Sequence, residues 1–179
     1  GSDYGHPEGL FFPDTYYSAR GYSQLSMLSR AYQAMEAKLA YSWARRKPGL
    51  PLAGPYEALI LASIIERESG ADEERARISG VLTNRLRQNM PLQADPTVIY
   101  GLGPGFDGNL RSDHLKKEGP YNTYRRSGLP PTPISNPGLK SLQAAVRPAE
   151  TKEMFFVARG DGRHEFSKTL EEHHRAVRR

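Results

Sequence analysis

The stretch Pro55-Tyr56-Glu57-Ala58-Leu59-Ile60-Leu61-Ala62-Ser63-Ile64-Ile65-Glu66-Arg67-Glu68-Ser69-Gly70 decides the fold. Proline is favoured near the first turn of a helix, so Pro55 marks a start, and Ser69-Gly70 mark an end. From Ala58 to Ile65 the helical wheel is apolar on every side, with Ser63 the one hydroxyl. That pattern belongs to a helix running through a core rather than along a surface, so other elements must surround it. At about 100° per residue, Glu66 shares a face with Leu59, Ala62 and Ser63, whereas Glu68 points almost oppositely, near Leu61 and Ile64. The two carboxylates therefore cannot work side by side on one substrate atom. At least one leaves the core at a boundary position.

Outward from this helix, other elements can be read on both sides. Leu25, Leu28, Tyr32, Met35, Leu39 and Trp43 recur at steps of three and four, which predicts a helix from Ser23, its cap, to Pro48-Gly49. After Gly70-Ala71, Asp72 is the expected cap of a further helix with Glu73 and Glu74 in its first turn and Ile78, Val81, Leu82 and Leu86 on its buried face. Leu92 to Gly101 reads as a loop of polar residues leading directly into a short apolar run. Residues 103–138 hold six prolines and few apolar runs, predicting an ordered, packed loop without a long helix or strand. Asn136-Pro137-Gly138 leads into a short helix over Leu139 to Val146. Met154-Phe155-Phe156-Val157-Ala158 and His164-Glu165-Phe166-Ser167 flank the turn Arg159-Gly160-Asp161-Gly162 as a hairpin. Thr169 with Glu172 fits a capping box opening a last helix. The class is α+β: a single domain with core helices, a long ordered loop region and a C-terminal β-hairpin.

The chain has 179 residues and no cysteine, with 25 Lys and Arg against 20 Asp and Glu. A chain of this length buries roughly 70% of its extended surface in one core. Zero cysteine excludes disulfides, thiolate zinc sites and a Cys nucleophile, but leaves the compartment open. The cations come in short pairs such as Lys116-Lys117 and Arg125-Arg126, among acidic residues, and no phosphate cradle or zinc-finger spacing occurs. The +5 balance is read as solvated surface, and no nucleic-acid partner is expected. Gly1-Ser2 reads as a tag remnant, leaving residues 3–179 as the domain; no apolar run reaches the ~18 residues of a membrane span.

Metal and Ser-nucleophile chemistry find little support. His173 and His174 project about 100° apart on a helix, no HExxH or G-x-S-x-G pattern is present, and no cofactor or metal is expected. Carboxylates are the stronger lead, because a Glu kept neutral by a partly apolar pocket can protonate a glycosidic oxygen. Glu66, at the mouth of the core helix, is placed for that role. The competing reading is a Glu that marks where the helix meets water, paired with Arg67 or a following Arg.

Leu61-Ala62-Ser63-Ile64-Ile65-Glu66-Arg67-Glu68-Ser69, then Asn84-Arg85-Leu86 and Pro91-Leu92-Gln93-Ala94-Asp95-Pro96-Thr97-Val98-Ile99-Tyr100-Gly101, closely resemble the MltG/YceG family of bacterial endolytic murein transglycosylases. Four further blocks match in order: Glu8 to Tyr16, Tyr121 to Tyr124, Gly128 to Pro131 with Asn136-Pro137-Gly138, and Phe156 through Leu170. The resemblance implies cleavage of the MurNAc–GlcNAc bond within peptidoglycan strands and maps the catalytic glutamate to Glu66. That residue would first protonate the glycosidic oxygen, then accept the proton of the C6 hydroxyl as a 1,6-anhydro ring closes. One carboxylate suffices for both steps.

Glu8, Gln93, Asp95, Tyr121, Asn122 and Thr123 lie in matching motifs and are the implied sugar contacts. Glu68 is expected to be structural, in a buried ion pair, and His164 to anchor the hairpin. Thr132, His174 and Met154 depart from the family's common Gly, Asn and aromatic. The family's membrane helix and LysM-like region are absent from this sequence, so any membrane attachment is expected through such an anchor. The implied location is the periplasmic face of the inner membrane, with glycan strands as partner and cell-wall synthases (penicillin-binding proteins) as a further one. The carboxylates of stem peptides and muramic lactyl groups suit the net positive charge. A hydrolytic muramidase and a non-catalytic peptidoglycan-binding module are the alternatives.

Overall fold

The computed structural model describes residues 5–17 and 23–178; Gly1 and Ser2, the expected tag remnant, lie outside them. In chain order the elements are α1 (Gln24–Ala44), α2 (Pro55–Glu68), α3 (Arg75–Arg87), α4 (Asp95–Leu102), α5 (Ser112–Lys116), α6 (Leu139–Val146), β1 (Phe155–Ala158), β2 (His164–Ser167) and α7 (Leu170–Val177). The class is α+β, as the pattern of elements predicts.

Helix α2 is the axis of the domain. Ala58 to Ile65 are all buried, and α1, α3, α4 and α6 pack around them. Ser63 is accommodated because its Oγ donates to the Ile60 carbonyl (2.7 Å) and accepts from the Ile134 amide (3.0 Å). A buried hydroxyl with both roles filled avoids the desolvation penalty of an unpaired one. Helix α1 starts where expected, with the Ser23 side chain accepting from the Ser26 amide. Its apolar stripe, however, is not all core: Leu25 is 77% exposed and Leu28 49%, and burial begins only at Ala31 and Met35. Helical period assigns residues to a face, but only a facing element buries them.

Two local expectations are refined. Asp72 to Glu74 form a 3₁₀ turn ahead of α3, and Asp72 bonds Arg75 Nε (3.0 Å) and the Lys140 ammonium instead of capping. The apolar run after Asp95 is a helix, α4, with Asp95 in its first turn and Pro96 at a tolerated first-turn position. Residues 103–138 are otherwise irregular apart from a 3₁₀ turn at Gly103–Gly105 and the short α5, yet Pro130, Pro133, Ile134 and Pro137 are buried, so the segment is packed as anticipated.

The hairpin pairs Phe156 with Phe166 and Ala158 with His164 in antiparallel register. Glu153, just before it, bonds Arg77 Nε at 2.8 Å. The imidazole of His164 lies 2.8 Å from Glu74 Oε2, and its backbone N–H donates to the same carboxylate. His164 thus anchors the hairpin to the turn before α3. Gly70 permits the approach of the hairpin turn, since a Cβ there would stand 2.6 Å from the Gly162 carbonyl oxygen. Among the described residues no helix is long and apolar enough to cross a membrane.

Candidate active site

The near-opposition of Glu66 and Glu68 on α2 sends them into different surroundings. Glu66 faces α6. Its Oε2 accepts from the Gly138 amide (3.0 Å) and the Ser141 hydroxyl (2.7 Å) and lies 3.4 Å from Arg75 Nη1. Gly138 caps α6 and Ser141 sits in its first turn, where unsatisfied amides and the helix dipole attract a carboxylate. All three donors converge on one oxygen, so Glu66 ties α2 to α3 and α6.

Glu68 faces a cavity of about 350 Å³. Gln93, Asp95, Arg85, Tyr124, Phe156 and His173 are among its walls, contributed by α3, the loop into α4, the 120s segment, the hairpin and α7. The expected ion pair of Glu68 is not found among the described residues. Instead burial, reinforced by the negative charge of Asp95, pushes its carboxyl up to about 8. Desolvation penalises the charged form, and a nearby like charge adds to the effect. Asp95 Oδ1 accepts from Tyr124 Oη at 2.5 Å. Burial and that bond to Asp95 together raise the tyrosine. Burial lowers His173, with Arg85 and His174 acting in the same direction.

The loop carrying Gln93 is held under constraint. Gln93 has φ +53°, a left-handed conformation that costs a non-glycine residue about 1 kcal/mol or more. Its backbone N–H donates to the Thr123 carbonyl (3.0 Å), and its side-chain Oε1 accepts from Arg85 Nη1 (3.1 Å). Thr123 Oγ1 accepts from the Ala94 amide (3.0 Å) and bonds Thr97 Oγ1 (2.8 Å). Such strain, here at a residue that lines the Glu68 cavity, clusters at functional loops.

The residues singled out from sequence fall into three places. Gln93 and Asp95 meet in the Glu68 cavity. Asn122 and Thr123 do not reach it as free side chains. Asn122 is 5% exposed, its amide donates to the His114, Leu115 and Lys117 carbonyls, and its Oδ1 accepts from the Tyr124 amide. The hydrogen bonds of both go to the fold, and through them Asn122 holds the Tyr124 amide and Thr123 the Gln93 amide. Tyr121 and Glu8 lie elsewhere, near Tyr100: Tyr121 Oη bonds Thr132 Oγ1 (2.8 Å), its ring is 4.9 Å from that of Tyr100, and the Glu8 charge helps to raise Tyr100.

Sequence reasoning missed Glu68, Arg85, Tyr124 and His173 as cavity residues. The helix wheel already separated the two glutamates, and the family motif contains both; nothing local said which would meet Asp95. Among the described residues, no cluster of three or more His, Asp or Glu side chains could hold a metal ion.

A family model described as the YceG-like family matches residues 3–179. An endolytic murein transglycosylase of Bacillus subtilis is 38% identical over 174 residues, which cover 96% of this chain and 47% of that protein. One of the same name from Streptococcus pneumoniae R6 is 30% identical, over 95% of this chain and 31% of its own length. The crystal structure of a YceG-like protein from Listeria monocytogenes superposes with a TM-score of 0.82 at 35% identity, over 94% of this chain and 55% of that one. The chain thus spans about half or less of the two transglycosylases it resembles. Matched from residue 3 to residue 179, the chain belongs to the YceG-like family.

Proposed function

We propose that this domain is the catalytic region of an endolytic murein transglycosylase, with Glu68 rather than Glu66 as its acid and base. The observation that carries the reading is the Glu68 carboxyl, raised to about 8 in a cavity it shares with Asp95, Gln93 and Tyr124. A general acid must hold its proton at working pH and face the substrate. Glu68 meets both conditions. Glu66 is committed to Gly138, Ser141 and Arg75.

In the first step the neutral Glu68 protonates the oxygen of the MurNAc–GlcNAc bond, and the C1–O bond breaks towards an oxocarbenium-like centre. Asp95, oriented by Tyr124, supplies negative charge beside that centre. The ionised Glu68 then takes the proton of the C6 hydroxyl of the same muramic residue. The C6 oxygen bonds C1, and a 1,6-anhydro end is left with no water consumed. Gln93, its carbonyl end held by Arg85, turns its amide hydrogens to the sugar. A murein substrate puts this activity in the cell envelope, where the synthases that extend the strands are its neighbours.

The test is product analysis by mass spectrometry on purified glycan strands. Wild type should give anhydro ends, lighter by one water than hydrolytic ends; Glu68→Gln should give none, and Glu66→Gln should still cut. Hydrated ends would make the enzyme a muramidase. Loss of cleavage in a folded Glu66→Gln protein, with Glu68→Gln active, would return the acid to Glu66. Strand binding by wild type without cleavage would leave a non-catalytic module.

A further inference from the structure

Arg85 is a buried cation without a counter-ion. It lies on α3 and is 5% exposed, yet it forms no salt bridge among the described residues. Its donors go to neutral oxygens: Nε to the Met154 carbonyl (2.7 Å), and Nη1 to the Pro91 and Leu92 carbonyls (3.0 Å each) and Gln93 Oε1 (3.1 Å). The guanidinium also stands 4.9 Å over the Phe155 ring. Burial lowers its pKa, because partial desolvation disfavours the charged form.

Burying a charge without a partner is strongly unfavourable, and neutral carbonyls could be served by a neutral donor. The uncompensated charge therefore calls for a ligand that completes it. The geometry leaves room for one. Nη2 has no hydrogen bond among the described residues, and the side chain lines the Glu68 cavity. Two segments, 91–93 and 154–155, the second with its aromatic ring, already fix the plane of the guanidinium, so little rotamer freedom remains to be lost on binding. The two N–H groups of Nη2 can donate a charge-assisted bond to a carboxylate.

We propose that Arg85 forms an anion subsite in the Glu68 cavity that receives a carboxylate carried by the muramyl unit of the substrate. This rests on the transglycosylase reading, which supplies a substrate bearing such groups. The carboxylate has two sources: the lactyl group of a strand stripped of its peptide, or a stem peptide still attached.

The test is NMR titration of the wild-type chain, labelled with ¹⁵N, following the Arg85 Nε–H resonance. The probes are N-acetylglucosamine, N-acetylmuramic acid and N-acetylmuramyl-L-alanyl-D-isoglutamine, which carry no carboxylate, a lactyl carboxylate and a peptide carboxylate. At least one acidic probe should bind about tenfold or more tighter than N-acetylglucosamine and shift the Arg85 resonance. Tighter binding of N-acetylmuramic acid assigns the lactyl source; preference confined to the muramyl dipeptide assigns the stem. Arg85→Lys, which keeps the charge but removes the free Nη2, should lose most of the preference. If that variant does not fold, the wild-type titration still decides. Equal affinity for all three probes, no saturable binding of any, or an unmoved Arg85 resonance overturns the subsite. Cleavage that depends on Glu68, seen together with equal affinities, removes the subsite alone; absence of cleavage by wild type removes the transglycosylase reading.

Discussion

Replacing Glu68 by Gln should stabilise the protein, and increasingly so as the pH rises. In the unfolded chain this carboxyl ionises near its ordinary 4.5, whereas in the fold it holds its proton to about 8. Below 4.5 both states carry the proton and the contribution to stability is complete. Between the two values the unfolded chain releases a proton that the folded one keeps, so wild-type stability falls with rising pH until the folded carboxyl also ionises. At about 1.4 kcal/mol per pH unit the full interval is worth about 5 kcal/mol, and relaxation around the charge brings the expected effect to roughly 2–5 kcal/mol. Glutamine keeps the shape and never ionises, so it is spared this loss. Urea titrations from pH 3 to 9, followed by far-UV circular dichroism and the fluorescence of the single tryptophan, Trp43, measure it. The stability difference between variant and wild type should be nearly flat at acid pH, then widen in the variant's favour up to pH 8–9. A difference independent of pH would refute the claim that Glu68 is held neutral, and with it the case for this residue as the acid. Wild-type cleavage should decline above about pH 8 by the same ionisation.

Three further perturbations separate scaffold from site. Glu66→Gln should cost about 1–2 kcal/mol in denaturant titrations, because Arg75 and the α6 donors lose a charged acceptor, while anhydro products persist. Gly80→Ala should destabilise by about 1–3 kcal/mol despite alanine's higher helix propensity, because the added Cβ would stand 2.6 Å from the Ala149 carbonyl oxygen; a gain in stability would show that the neighbouring backbone yields. Glu74→Ala removes the acceptor of both the imidazole and the backbone N–H of His164, in a pair whose side chains are 7% and 14% exposed. It should cost about 1–3 kcal/mol, with hydrogen-exchange protection lost first in the β1 and β2 amides.

The local elements were legible because their causes are local. An all-round apolar run makes α2 a core helix wherever it is placed, Ser23 and the Thr169–Glu172 box cap their helices through bonds within four residues, and Gly160 and Gly162 turn the hairpin. The helix read after Gly138 runs from Leu139 to Val146 as expected. Where a partner from elsewhere in the chain decides, the reading stopped. Leu25 and Leu28 fit the stripe of α1 and remain exposed, and nothing near Asn122 in the sequence announced that its amide would go to the His114, Leu115 and Lys117 carbonyls.

The two glutamates draw the same boundary. Their spacing on α2 already required them to face nearly opposite ways, and the ordered motifs already pointed to the family. What would surround each carboxyl was a tertiary question. It was answered by what the fold sets opposite each one: the α6 amide, a serine hydroxyl and Arg75 across from Glu66, but a desolvated cavity with Asp95 across from Glu68. A side chain's direction follows from helical period. Its proton follows from neighbours brought from distant parts of the chain, and only the packed structure supplies them.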